Sequence, residues 1–282
     1  MSANNAVGED VASTGEAQVI ALCNQKGGVG KTTSTVNLGA ALAECGLRVL
    51  LVDLDPQGAL SAALGVAHHN LELTVYDLLG RNAPPIDDVL IKTAVTNLHL
   101  LPSNIDLSAA EIQLVNEVGR EHSVSRVLDP VRDRYDYILI DCQPSLSLLT
   151  VNALACADGV IIPMECEFFS LRGLALLNDT MEKVRERLNP RLELSGIVVT
   201  MFDSRLLHSR QVLDRVADTF GERLYDTMIS RTVRFPDSTI AGEPLTTLDP
   251  KSKGAEQYRE LAREFLKRSG RDAAQSSLPF PQ

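Results

Sequence analysis

Residues 19–23 are apolar without interruption and run, within three residues, into Lys26-Gly27-Gly28-Val29-Gly30-Lys31-Thr32-Thr33. A buried strand that empties into a glycine-rich turn and then a helix is the layout of a phosphate-binding loop. Glycines let the backbone wrap an anion closely, and the N–H groups that open the next helix point at it. Lys31 is placed to reach β- and γ-phosphates, and the Thr32 hydroxyl to ligate Mg²⁺. The loop departs from G-x-x-x-x-G-K-[ST] at its first glycine, where Asn24-Gln25 precede Lys26.

The rest of the chain alternates in the same manner. Strands are expected at 19–23, 49–53, 98–101, 137–141, 160–163, 197–200 and 224–229, and helices at 32–45, 108–121, 171–188, 209–220 and 255–267. Several strands are apolar on both faces, as in a parallel sheet covered by helices on either side. The fold class predicted is α/β: a doubly wound, mostly parallel sheet with helices on both faces. No linker divides it. Residues 18–268 are expected to form one domain, flanked by polar tails at 1–17 and 269–282.

Composition narrows the function by exclusion. No run approaches the roughly 20 apolar residues needed to span a bilayer, and residues 1–16 are polar and acidic, unlike a signal peptide. Five cysteines form an odd set without a Cys-x-x-Cys pair. Four lie in apolar segments, which predicts buried free thiols in a reducing cytosol. Net charge is 27 − 37 = −10, against a protein that simply coats nucleic acid. Its distribution is uneven: residues 1–180 carry 10 basic and 22 acidic side chains, residues 181–235 carry 10 and 8, nine of those bases being arginine. A DNA-facing surface, if there is one, belongs in that arginine-rich quarter; on charge alone, ordinary solvated helix faces are the better reading.

The lysine that opens the loop, Lys26, makes Lys26-Gly-Gly-Val-Gly-Lys-Thr-Thr33 resemble the deviant Walker A motif of the ParA/MinD ATPases. Val52-Asp53-Leu54-Asp55-Pro56-Gln57-Gly58 resembles the Walker A′ segment, the strand ending in Asp141 resembles Walker B, and Asp249-Pro-Lys-Ser-Lys-Gly-Ala255 resembles a segment of chromosomal, Soj-like ParA proteins. The similarity covers about residues 18–268. It implies P-loop contacts to nucleotide from Lys26, Gly27, Gly28, Val29, Gly30, Lys31, Thr32 and Thr33, with ATP and Mg²⁺ as cofactors. Lys26 would cross a dimer interface to the partner's nucleotide, Asp55 would orient the attacking water, and Thr32, Asp55 and Asp141 would serve the metal. Lys26, Lys31 and Asp55 are therefore the expected catalytic set. Asp53 shares a strand end with Asp55, and a salt bridge in a switch region is an equal reading for it. Two departures stand out: Cys142-Gln-Pro-Ser145 where the family reads Thr-Pro-Pro, and Phe235-Pro-Asp-Ser-Thr239 where it reads Leu-Ser-Glu-Ala-Pro-Ser.

ATP is favoured over GTP because Thr200-Met201-Phe202-Asp203 has methionine where a guanine-reading motif has lysine; spacing leaves an Asp203 contact to guanine open. The segment after residue 268 has neither the amphipathic pattern of a MinD-type membrane helix nor a tyrosine cluster. The remaining branch implies an ATP-dependent homodimer that binds DNA nonspecifically through Arg205, Arg231 and Arg234. It would hydrolyse ATP slowly with a ParB-like activator, partition chromosomes or plasmids, avoid membranes, and sit in the cytoplasm on the nucleoid when ATP-bound. The alternative is an orphan ATP-gated switch that positions division or condensin-type machinery with little DNA role.

Overall fold

The computed structural model describes residues 15–168 and 170–270. In chain order the elements are β1 (Gln18–Leu22), α1 (Lys31–Glu44), β2 (Val49–Leu54), α2 (Ala59–Ala63), α3 (Val75–Leu78), β3 (Ile91–Lys92), β4 (Leu98–Leu101), α4 (Leu107–Leu114) and α5 (Ser123–Leu128). They continue with β5 (Tyr137–Cys142), α6 (Leu148–Cys156), β6 (Gly159–Glu165), α7 (Ser170–Arg187), β7 (Glu193–Thr200), α8 (Leu207–Phe220), α9 (Arg234–Ala241), α10 (Leu245–Leu248) and α11 (Lys253–Arg268). The strands form one sheet ordered β3-β4-β2-β5-β1-β6-β7, parallel throughout except for the short edge strand β3.

Unbroken apolar strands demand cover on both faces, and they receive it. Ile20 and Leu22 of β1 pack with α1, α2 and α11 through Leu38, Leu42, Leu60, Leu261 and Phe265. Val19 and Ala21 point the other way, into a core shared with α3 to α8 through Leu78, Leu107, Leu128, Leu149, Leu177 and Val216. The register matters for the site: Leu22 of β1 and Asp53 of β2 both lie beside Asp141 of β5. Three loops from neighbouring strands therefore open at one carboxyl edge, where open α/β sheets place their ligands.

Two expected elements differ. The stretch 224–229 is not a continuous strand; it meets β7 through a bridge from Leu224 to Ile197 and the N–H groups of Tyr225 and Ile229, which donate to the Ile197 and Val199 carbonyls, and Ser230 bridges to Phe202 just beyond β7. The reason is diverted donors: the backbone N–H groups of Asp226 and Thr227 go to Glu264 of α11, and that of Ser230 to Gln257. The helix expected over 108–121 stops at Leu114, ahead of Gly119, whose φ of 67° is left-handed. Of the expected tails, 1–14 and 271–282 lie outside the described residues. Ala17 is buried and its N–H donates to the Arg132 carbonyl at 2.8 Å.

Candidate functional site: a nucleotide cleft

The loop between β1 and α1 is shaped by Gly28 and Gly30, whose φ values of 74° and 79° are costly for any residue with a Cβ. A Cβ built on Gly28 would meet nothing within 4 Å, so the loop turns its bare backbone toward open space. That is a cradle for an anion. The loop is pinned from three sides. The Asn24 amide donates to the Pro163 carbonyl at 2.8 Å, its own carbonyl oxygen takes the Lys26 N–H at 3.0 Å, and the Thr200 hydroxyl donates to the Val29 carbonyl at 2.8 Å. Val29 itself is buried, so its side chain serves the core and only its backbone faces the site.

The cleft above the loop measures about 670 Å³ and is lined by Gly27, Gly28, Gly30 to Thr33, Asp55, Pro144, Thr200 and Met201, with the 229–236 segment opposite. Lys31 is buried and its ammonium donates to the Lys26 carbonyl at 3.1 Å. Burial lowers its pKa from the ordinary lysine value. Thr32 donates its hydroxyl to Asp141 Oδ2 at 2.6 Å, and Thr35 donates to Oδ1 at 3.2 Å. Burial, reinforced by Asp53 on the next strand, pushes the Asp141 carboxyl up to about 7. A divalent cation would relieve that strain directly.

Among the described residues no cluster of three or more His, Cys, Asp or Glu could hold a metal by itself. Magnesium does not need one. It keeps several waters and takes one or two protein oxygens plus substrate phosphates. Thr32, with Asp141 behind it and Asp55 at the rim, fits that requirement.

Asp53 and Asp55 have different surroundings although they are two residues apart. Asp53 is fully buried and accepts from the Ser61 N–H at 2.9 Å and the Ser61 hydroxyl at 2.7 Å. It holds α2 against the sheet by hydrogen bonds, not by a salt bridge, and burial pushes its carboxyl up to about 6. Asp55 lines the cleft; its carboxylate accepts the Gln57 N–H at 2.9 Å and its backbone carbonyl the Gly58 N–H.

Lys26 points elsewhere. It does not line its own cleft; its ammonium pairs with Glu167 and lies 3.5 Å from Glu165 at the end of β6. Burial opposes its charge, but the two carboxylates outweigh that and raise its pKa above the ordinary value. The three arginines singled out for DNA all carry acidic partners. Arg205 makes a two-pronged contact with Asp203 at 2.9 and 2.7 Å, Arg231 reaches Glu165 at 2.7 Å, and Arg234 lies 3.6 Å from Asp249 and 3.9 Å from Asp237. Arg205 holds the Asp203 carboxyl down to about 2, and Asp203 is absent from the cleft lining, so nothing here offers it to a guanine.

Pro144, Thr200, Met201 and Phe235, which the sequence reading quoted only as family departures or for base identity, line the cleft, and Thr35, which it did not name, donates to Asp141 beneath it. Met201 has a φ of 50°, uncommon for a residue with a side chain.

The AAA domain family, AAA_31, matches residues 17–194. The chain is 47% identical over 247 residues to the sporulation initiation inhibitor protein Soj of Bacillus subtilis, covering 88% of this chain and 97% of that one. It is 46% identical over 253 residues to the chromosome partitioning protein ParA of Caulobacter vibrioides, covering 89% and 94%. A crystal structure described as cobyrinic acid a,c-diamide synthase from Mycobacterium smegmatis, with ADP and magnesium bound, is 39% identical with a TM-score of 0.79, covering 94% and 99%. ATP and Mg²⁺ are accordingly the cofactors of this cleft. With a glycine loop, a Thr32 hydroxyl bonded to the buried Asp141 and relatives of this kind over nearly its whole length, the chain belongs to the ParA/MinD family of P-loop ATPases.

Proposed function

We propose that residues 18–268 act as a partitioning ATPase that dimerises on ATP, binds DNA without sequence preference in that state, and hydrolyses ATP slowly until a ParB-like activator speeds it. The observation that carries this reading is Lys26: a loop lysine that faces out of its own cleft, held by Glu167 and Glu165, would exchange those carboxylates for the phosphates of a second copy. Inside the cleft, Lys31 neutralises the β- and γ-phosphates, and the loop N–H groups hold them in place. Thr32 and Asp141 would hold Mg²⁺, which spreads the charge that develops on the transferred phosphoryl group. Asp55 stands at the rim with one free carboxylate oxygen, suited to orient a water. Relatives named for chromosome partitioning at 46% identity support the same use. The expected location is the cytoplasm, on the nucleoid in the ATP state. Among the described residues no helix is long and apolar enough to cross a membrane.

A second reading, the ATP-gated switch for division or condensin-type machinery, is favoured by one observation. Arg205, Arg231 and Arg234 each face a carboxylate, so the patch is partly neutralised in one copy. Sedimentation with ATP or ADP, followed by DNA titration at fixed salt, separates them. Dimer with DNA binding supports partitioning; dimer without it supports the switch; no ATP-dependent dimer removes both.

A further inference from the structure

Cys23 is the first residue after β1, and Cys142 closes β5, next to Asp141. Their Sγ atoms are 3.0 Å apart, closer than unbonded sulfurs ordinarily sit, and both side chains are 1% exposed. Leu22 and Asp141 are register partners, so the two cysteines continue the same pairing one residue on. Neither thiol has a role in the ATPase chemistry described above. The other three cysteines are buried without a thiol partner.

We propose that Cys23 and Cys142 are an oxidisable dithiol whose closure to a disulfide weakens Mg·ATP binding. An S–S bond of about 2.05 Å requires the sulfurs to close by about 1 Å. The two strand ends that the bond would tie together carry opposite walls of the site. On one side is Asn24, which fixes the loop through Lys26 and Pro163; on the other is Asp141, which holds Thr32 and Thr35. Displacements of about 1 Å between positioned groups cost as much as 100-fold in related settings. The oxidant that fits two sealed thiols is a small neutral peroxide. One thiol attacks hydrogen peroxide, forming an S–O bond, breaking O–O and releasing water. The second thiol then displaces hydroxide, which leaves as water, and forms S–S. Two thiols lose two protons and two electrons, and peroxide becomes two waters.

The test uses the full chain treated with hydrogen peroxide, then excess reagent removed. A peptide linking residues 23 and 142, a loss of about 2 Da, and at least ten-fold weaker binding of a fluorescent ATP analogue with Mg²⁺ are expected, all reversed by a dithiol reductant. Cys23→Ala should keep its analogue affinity after the same treatment; Cys23→Ser serves if the alanine variant folds poorly. The idea is overturned if no 23–142 link forms, if linked protein binds the analogue as before, or if both Cys23 variants lose affinity equally. None of these readouts depends on dimerisation or DNA.

Discussion

The Thr32 hydroxyl donates to Asp141 across 2.6 Å, joining the first turn of α1 to the end of β5 at the point where the phosphates would enter. Asp141→Asn keeps the size of the side chain and removes the charge behind the metal. ATP is expected to bind still, since Lys31 and the glycine backbone remain. Phosphate release is expected to fall about 100-fold or more, because charge stabilisation in the transition state is lost. A Mg²⁺ titration of phosphate release checks it; wild-type turnover in the variant rejects the metal role.

Lys26 and Asp55 should separate. Lys26→Gln is expected to bind ATP as a monomer, because in the proposed dimer the missing charge would serve the partner's site. Asp55→Ala is expected to dimerise with ATP and stay dimeric, since water is no longer oriented. Sedimentation with ATP reads both, and identical behaviour of the pair would remove the cross-interface role of Lys26.

For DNA, each arginine must exchange its carboxylate for a phosphate. These are exposed pairs, with Arg231 67% and Arg234 58% exposed, and such pairs hold weakly. Binding with ATP is expected to fall by about 0.9 log units per log salt for each phosphate neutralised. Arg231→Ala with Arg234→Ala should flatten that slope and leave DNA-free hydrolysis nearly intact. An unchanged slope would mark the two as ordinary surface charges.

His99 gives a pH dependence away from the cleft. Its Nδ1 lies 2.8 Å from the Tyr135 hydroxyl, and burial, with Lys92 and Arg134 nearby, lowers its pKa below the ordinary 6.5. Above that value both folded and unfolded forms are neutral and its contribution is intact. As pH falls through 6.5 toward the lowered value, the unfolded chain takes up the proton first, and stability is lost. Tm measured from pH 7.5 to 5 should therefore fall more in wild type than in His99→Gln; equal slopes would contradict it.

Arg259 of α11 is 7% exposed and grips Glu44 of α1 at 2.7 and 3.1 Å while donating to the carbonyls of Pro250 and Thr246. Arg259→Ala leaves a half-buried carboxylate and loose carbonyls. Urea unfolding should show a loss of about 3–5 kcal/mol; a change under 1 kcal/mol would mean that the helix packing, not the ion pair, joins these two helices.

Contiguous, covalently local features were legible in the sequence. The run 19–23 followed by glycines and Lys31-Thr32 determined strand, loop and helix, because backbone freedom and apolar periodicity act over a few residues. The unbroken apolar strands likewise determined a sheet covered on both faces. Only the tertiary structure decided which distant groups meet. Asp53, indistinguishable from Asp55 in the one-dimensional pattern, became a buried anchor because Ser61 folds back onto it. The 224–229 stretch looks like a strand by composition, yet Glu264 takes the N–H groups of Asp226 and Thr227 in its middle, and the ladder to β7 stays broken between Tyr225 and Ile229. The partners of Lys26 and Arg231 converge on Glu165, 139 and 66 residues away, because β6 ends beside the loop. Charge and hydrogen-bond pairing fall off within a few ångströms of space whatever the distance along the chain, so such pairings exist only once the sheet order has been set.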